Sequence, residues 1–204
     1  MNTFAYVLHR AMAQRDSINK AKMALSPDEI KSKNDVRINF FGDMEIRTMN
    51  GIWKESSFNS PKCSKTVAYI LLNRKASHSA LAIADALYPE ESTDIDSLNK
   101  KIRGYIYRFR KSLELILDEW LIDYSQNGYR VNPSLNVTTD LQKFEHIWAQ
   151  LQENPPLSLK IYLLKQAFKL YRGAVCASYS GDHWLVGIAT EYKTKYISMV
   201  NELL

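Results

Sequence analysis

Apolar and polar positions alternate with a period of two between residues 36 and 58. Val36, Ile38 and Phe40 form one apolar set, and Met44, Ile46 and Thr48 a second. Gly42-Asp43 and Asn50-Gly51 separate the sets, and the latter is a strong hairpin signal because both residues tolerate positive φ. With residues 52–58 this predicts a three-strand meander. Elsewhere the spacing is helical. Residues 2–25 carry Phe4, Val7, Leu8, Met12 and Ile18 at that spacing, as one helix or two, and Ser26-Pro27-Asp28-Glu29 is a helix-start signature. Further helices are expected at 61–75, behind Ser60-Pro61, and from about Ser79, with Leu81, Ile83, Ala84 and Leu87. A long helix is expected from about Asp94 to Leu117. Two short strands follow at 120–124 and 129–131, around Gln126-Asn127-Gly128. After Pro133, which blocks strand continuation, only helices are expected, at 140–151, 157–171 and 184–204. Trp148, Phe168 and Trp184 are assigned to their core.

Strands, three helices and a hairpin, in that order, describe a winged helix-turn-helix, whose last helix lies in the major groove of DNA. The expected fold class is an α+β winged helix-turn-helix domain at 34–133, followed by an all-α, TPR-like helical domain at 134–204. A helical arm or linker precedes them at 1–33. In the long helix, Leu98, Ile102, Tyr105, Phe109, Leu113 and Ile116 fall in one arc at about 100° per residue and should face the core. Lys100, Gly104, Tyr107 and Lys111 project oppositely, flanked by Arg103 and Arg110. Gly104 costs roughly 1 kcal/mol of helix stability relative to Ala. Close approach of the backbone to a groove floor is one reason to keep it, and drift is another. Arg and Lys reach guanine edges or phosphates, and Tyr107 a phosphate or a thymine methyl. The hairpin would set Asn127, Tyr129 and Arg130 near the flanking backbone or minor groove.

Charge sharpens this picture. The chain of 204 residues has a net charge of +5, yet residues 34–133 are close to neutral. Within them Lys100, Lys101, Arg103, Arg108, Arg110 and Lys111 form a run with no acid among them. A near-neutral unit with one cationic face suits a polyanion. A solvated helix face would carry the same run, and the architecture around it favours the polyanion. Hydrophobic residues at 46% suffice for a core. No apolar run approaches the roughly 20 residues of a membrane-spanning helix, and no secretion signal is evident. Cys63 and Cys176 stand far apart, as in a reducing, cytoplasmic setting. There is no phosphate-binding glycine loop, no HExxH, no CxxC pair and no metal-ligand spacing among His9, His78, His146 and His183. No catalytic site, metal or cofactor is therefore expected, and the chain is read as a non-enzyme. Asp182-His183 beside Ser180 is too local for a triad.

Residues 36–131 resemble the OmpR-type winged helix of bacterial response regulators. The stretch Ile106-Tyr107-Arg108-Phe109-Arg110-Lys111-Ser112-Leu113 is similar to that family's recognition-helix pattern I-x-R-L-R-K-x-L, with Phe109 for the usual Leu. Trp120-Leu121-Ile122 and Gly128-Tyr129-Arg130-Val131 resemble its wing. Downstream, Thr139-Asp140-Leu141 with Phe144, and Ala167-Phe168-Lys169-Leu170-Tyr171-Arg172-Gly173, resemble the bacterial transcriptional activation domain of SARP-type regulators. That domain normally continues through further helices, so the chain reads as a fragment or a shortened member, and 1–33 as the tail of an upstream sensor or receiver. The resemblance implies a sequence-specific DNA-binding regulator, an activator that recruits RNA polymerase and pairs as a homodimer on repeated half-sites. In OmpR-type proteins the loop before the recognition helix can contact polymerase, which here points to Glu90 and Glu91. Asp94 and Asp96, in the same loop, suit a helix N-terminus on electrostatic grounds alone. The alternative is an interaction or ligand-sensing module whose winged helix does not bind DNA.

Overall fold

A computed structural model describes residues 3–24, 30–90, 94–125 and 128–202. Helix α1 (Thr3–Ala24) leads into strands β1 (Asp35–Asn39), β2 (Glu45–Thr48) and β3 (Gly51–Lys54). Helices α2 (Pro61–Leu72), α3 (Ala80–Leu87) and α4 (Ile95–Leu113) follow, then a hairpin of β4 (Ile122–Ser125) and β5 (Gly128–Val131). Strand β6 (Asn136–Thr139) precedes α5 (Asp140–Gln152), α6 (Leu157–Leu170) and α7 (His183–Asn201). The fold is thus a mixed sheet with several helices. The start signature at 26–29 lies outside the described residues.

The main sheet runs β3-β2-β1-β6, with β1 parallel to β6 and the other pairs antiparallel. Strand β6 corrects the expectation of helices alone after Pro133. Asn136-Val-Thr-Thr is short, with one apolar side chain, and finds its hydrogen bonds on the free edge of β1. Period-two alternation sends Val36, Ile38, Ile46 and Trp53 to the core face, all buried. Arg37, Asn39, Glu45 and Arg47 take the other face. Gly51 opens β3, where a Cβ would meet Ile116 Cγ2 at 2.7 Å, so any larger residue requires Ile116 to shift. The last strand ends at Lys54, and Glu55–Ser57 form a single 3-10 turn. Helix α4 is shorter than expected and gives way to turns after Leu113, with Leu117 still buried.

Two devices join the sheet to the downstream helices. Asp140, 2% exposed, accepts from the backbone N–H groups of Phe40 and Phe41, each at 2.9 Å. The segment after α6 then runs beside the exit of β1: Gly42 N donates to Ala174 O (2.9 Å) and Cys176 N to Phe40 O (2.7 Å). Phe41 sits at the centre of an aromatic cluster with Phe144 (5.1 Å), Tyr171 (5.0 Å) and Tyr192 (5.6 Å). Trp148, Phe168 and Trp184 are half-buried flanks of the core rather than its interior. Phe168 lies against Tyr196 and Trp184 against Tyr69 and Tyr179, at the margin of the core. Helix α5 is capped reciprocally by Thr139 and Gln142. Along α1, Ala21 is buried while Tyr6, Val7 and Met12 are exposed. Among the described residues no helix is long and apolar enough to cross a membrane, and no cluster of ligating side chains fits a metal ion.

Candidate nucleic-acid interface

Helix α4 is amphipathic by sequence and is held on three sides. Asp94 caps it, accepting from Ser97 N at 3.1 Å. Asp96 lies in its first turn and Arg110 and Lys111 in its last, in the order the helix dipole favours. Leu98, Ile102, Ile106, Phe109 and Leu113 are buried, so Ile106 belongs to the core arc, while Tyr105 and Ile116 stay at its margin. Trp53 docks the helix to the sheet, with its ring 5.5 Å from Phe109 and its Nε1 donating to Ser112 Oγ at 3.0 Å.

The outward face carries Lys100, Arg103, Tyr107 and Lys111, all exposed, as expected. Lys111 also pairs with Glu114 at 2.7 Å, and its ammonium lies 5.8 Å from the Tyr107 ring. That pairing raises the Lys111 pKa, so the side chain stays charged. Arg108 turns sideways over Tyr105 at 5.2 Å. Nothing lies within 4 Å of a Cβ built on Gly104, so packing does not require glycine there. Gly104→Leu should therefore keep or raise helix content by circular dichroism. If the face meets a groove, the same variant should lose DNA affinity by bulk alone.

The hairpin docks on the start of α3. His78 N donates to Tyr129 O (2.9 Å) and Tyr129 N to His78 O (2.8 Å). Two expected contact residues are absorbed by this docking. Tyr129 is 6% exposed, because strand alternation turns its ring inward against Tyr124 at 5.1 Å. Burial pushes its hydroxyl pKa up, opposed by Arg103 beside it. Arg110 is half-buried and donates from Nε (3.1 Å) and Nη2 (2.7 Å) to Ile122 O. Its guanidinium stacks 4.1 Å over the exposed Trp120 ring. Burial lowers the Arg110 pKa, with Asp123 opposing. Arg110 thus locks the hairpin to α4 and does not point outward. Arg130 is exposed on the hairpin. Asn127 and Glu91 lie outside the described residues, and Glu90 is exposed beyond α3.

Sequence reasoning missed Tyr124, which is 63% exposed. It lines a cleft of about 370 Å³ between α4 and the hairpin, with Arg103, Ile106, Tyr107, Arg110 and Tyr129. A second hollow of about 410 Å³ continues this cleft toward Lys100, Asn99 and Asp96. The signal was present: Tyr124 is the β4 register partner of Tyr129, so both rings lie on the same face of the hairpin, toward α4.

An exposed, cation-bearing helix thus lies beside a docked hairpin, set on a mixed sheet and followed by helices. The structure of Mycobacterium tuberculosis EmbR in complex with a low-affinity phosphopeptide is similar, with a TM-score of 0.61 over 80% of this chain at 17% identity. At that identity the likeness is one of fold, and this chain spans 43% of the length of the EmbR chain. No family model matches the chain, and no curated protein sequence does.

Proposed function

We propose that this chain is a DNA-binding transcription regulator of the SARP type, with residues 34–133 as its winged helix and 134–204 as an activation domain. The observation that carries the reading is the outward face of α4. Lys100, Arg103 and Tyr107 stand exposed on a helix whose other side is fixed by Trp53, Phe109 and Leu113. A rigid helix that presents cations to solvent is what major-groove docking requires. Support comes also from the sequence resemblance along 36–204 and from the EmbR-like fold.

In this reading Lys100 and Lys111, at opposite ends of the face, contact phosphates. Arg103 reads a base edge from beside Tyr129, with which it lines the cleft. Tyr107 and Tyr124 flank it, and Arg130 reaches the adjoining backbone. Double-stranded DNA is bound by two copies on repeated half-sites. In the same reading Glu90 and Glu91 contact RNA polymerase, and the site of action is the cytoplasm.

Binding of the full chain to a selected duplex, titrated with salt, tests this. Affinity should fall steeply with salt, as counterion release demands. Arg103→Ala should cost about 1–3 kcal/mol and relax preference at one base pair, while Lys100→Ala should weaken all sequences and flatten the salt slope by about one unit. Arg110→Ala should behave differently: it frees the Ile122 carbonyl and loosens the hairpin, so the melting temperature falls along with affinity. If Lys100→Ala and Arg103→Ala stay folded and bind as the parent does, α4 is not the DNA-reading helix. The interaction-module reading then replaces it.

A further inference from the structure

The sheet face turned away from α4 carries a second set of cations with a different geometry. Arg37 and Arg47 are register partners on β1 and β2, an arrangement of like charges that costs stability in a sheet. Lys169, at the end of α6, and Arg172, just beyond it, close over them. Together with Asn39 and Asp140 these four cations line a cleft of about 240 Å³. Lys169 and Arg172 are exposed, and no ion pair engages Arg37, Lys169 or Arg172 among the described residues. Arg37 Nε instead donates to Asn39 Oδ1 at 3.2 Å.

Two carboxylates, Glu45 and Asp140, oppose this charge, and each already has partners. Glu45 pairs with Arg47 and accepts from Asn39 Nδ2 at 3.1 Å. Burial disfavours its charge, but Arg47, Asn39 and Arg172 together hold its pKa below the usual value. Asp140 is taken up by the Phe40 and Phe41 amides. Even with both ionised, four cations face two anions, leaving an excess of about two charges. A phosphate monoester carries about −1.5 to −2 at pH 7 and presents several acceptor oxygens, which guanidinium forks meet from different sides.

We propose that this cleft binds the phosphoryl group of a small phosphate ester. Its ligand bridges Arg37 and Arg47 of the sheet to Lys169 and Arg172 of the downstream helices. The volume suits a phosphoryl group with a small attached moiety rather than a nucleic-acid backbone. A duplex on α4 does not reach it, since Trp53, Ile46 and α4 itself occupy the opposite side of the sheet. The assignment is therefore independent of the DNA reading.

The test follows thermal melting of the full chain in inorganic phosphate and in glycerol 3-phosphate, against sodium chloride at equal ionic strength. Both phosphates should raise the melting temperature, because a ligand of the folded state stabilises it by mass action. Calorimetric titration should show Arg172→Gln and Lys169→Gln each weakening phosphate binding by about tenfold, the scale of one charge-assisted contact. Lys169 and Arg172 are exposed, so both variants should fold. Arg103→Gln, on α4, should leave phosphate affinity unchanged. The proposal is overturned if phosphate stabilises no more than chloride, if its binding survives both cleft variants, or if Arg103→Gln abolishes it. Tighter binding of a phosphoserine peptide than of glycerol 3-phosphate, lost in Arg172→Gln, would replace the small ester with a protein ligand.

Discussion

Gly128→Ala should lower stability by roughly 3–5 kcal/mol, from a backbone strained at a glycine-only conformation and two lost hydrogen bonds. Gly128 opens β5 at φ +129°, a region that L side chains rarely adopt. A Cβ there would collide with the His78 carbonyl, which is backbone and has no rotamer to change. Relief requires the hairpin to lift from α3, breaking the paired bonds between His78 and Tyr129. For a chain of this size the melting temperature should drop by about 10 °C. The far-ultraviolet dichroism of the folded state should change little, since few residues lie in the hairpin. A Gly128→Ala protein that melts within a degree of the parent would mean that the hairpin does not dock on His78.

The second large effect concerns Asp140. Asp140→Ala removes the acceptor for two buried backbone N–H groups, and each orphaned donor costs about 1–3 kcal/mol. The cap of α5 survives, because Thr139 and Gln142 make it without Asp140. A loss of roughly 2–6 kcal/mol is therefore expected from the joint between sheet and helices, not from unwinding of α5. Asp140→Asn keeps one acceptor oxygen and should lose about half as much. Hydrogen exchange at Phe40 and Phe41 reads the same event locally, with both amides deprotected in Asp140→Ala. Equal melting of parent and Asp140→Ala would place the strength of the joint elsewhere, in the Phe41 aromatic cluster.

Local pattern made much of the architecture legible. The core arc of α4 follows from its spacing, and Leu98, Ile102, Phe109 and Leu113 are buried as that spacing requires. The meander follows from alternation, while its second turn falls on Met49-Asn50, with Gly51 already paired in β3 and neither Asn50 nor Gly51 at positive φ. What pattern does not carry is the use of a polar group by a distant partner. Arg110 sits in the cationic run, yet its guanidinium belongs to Ile122. Tyr129 and its register partner Tyr124 share one face, yet only Tyr129 is buried, a difference that strand alternation does not carry. Strand β6 has too little apolar content to announce itself and is defined by the edge it covers. The cation cleft draws on positions 37, 47, 169 and 172, so no window of sequence contains it.

Pairing of β6 with β1 also bears on where this chain tolerates being cut. Proteolysis after Pro133 would strip the outer strand and leave β1 with a bare ladder of N–H and C=O groups. An uncovered edge of that kind recruits the edge of another molecule. Asp35 and Arg37 would stand on that edge as charged gatekeepers, with Val36 and Ile38 still directed to the core side. The N-terminal portion released in this way would be prone to self-association, and the stretch from Asn136 to Thr139 acts as the built-in guard against it.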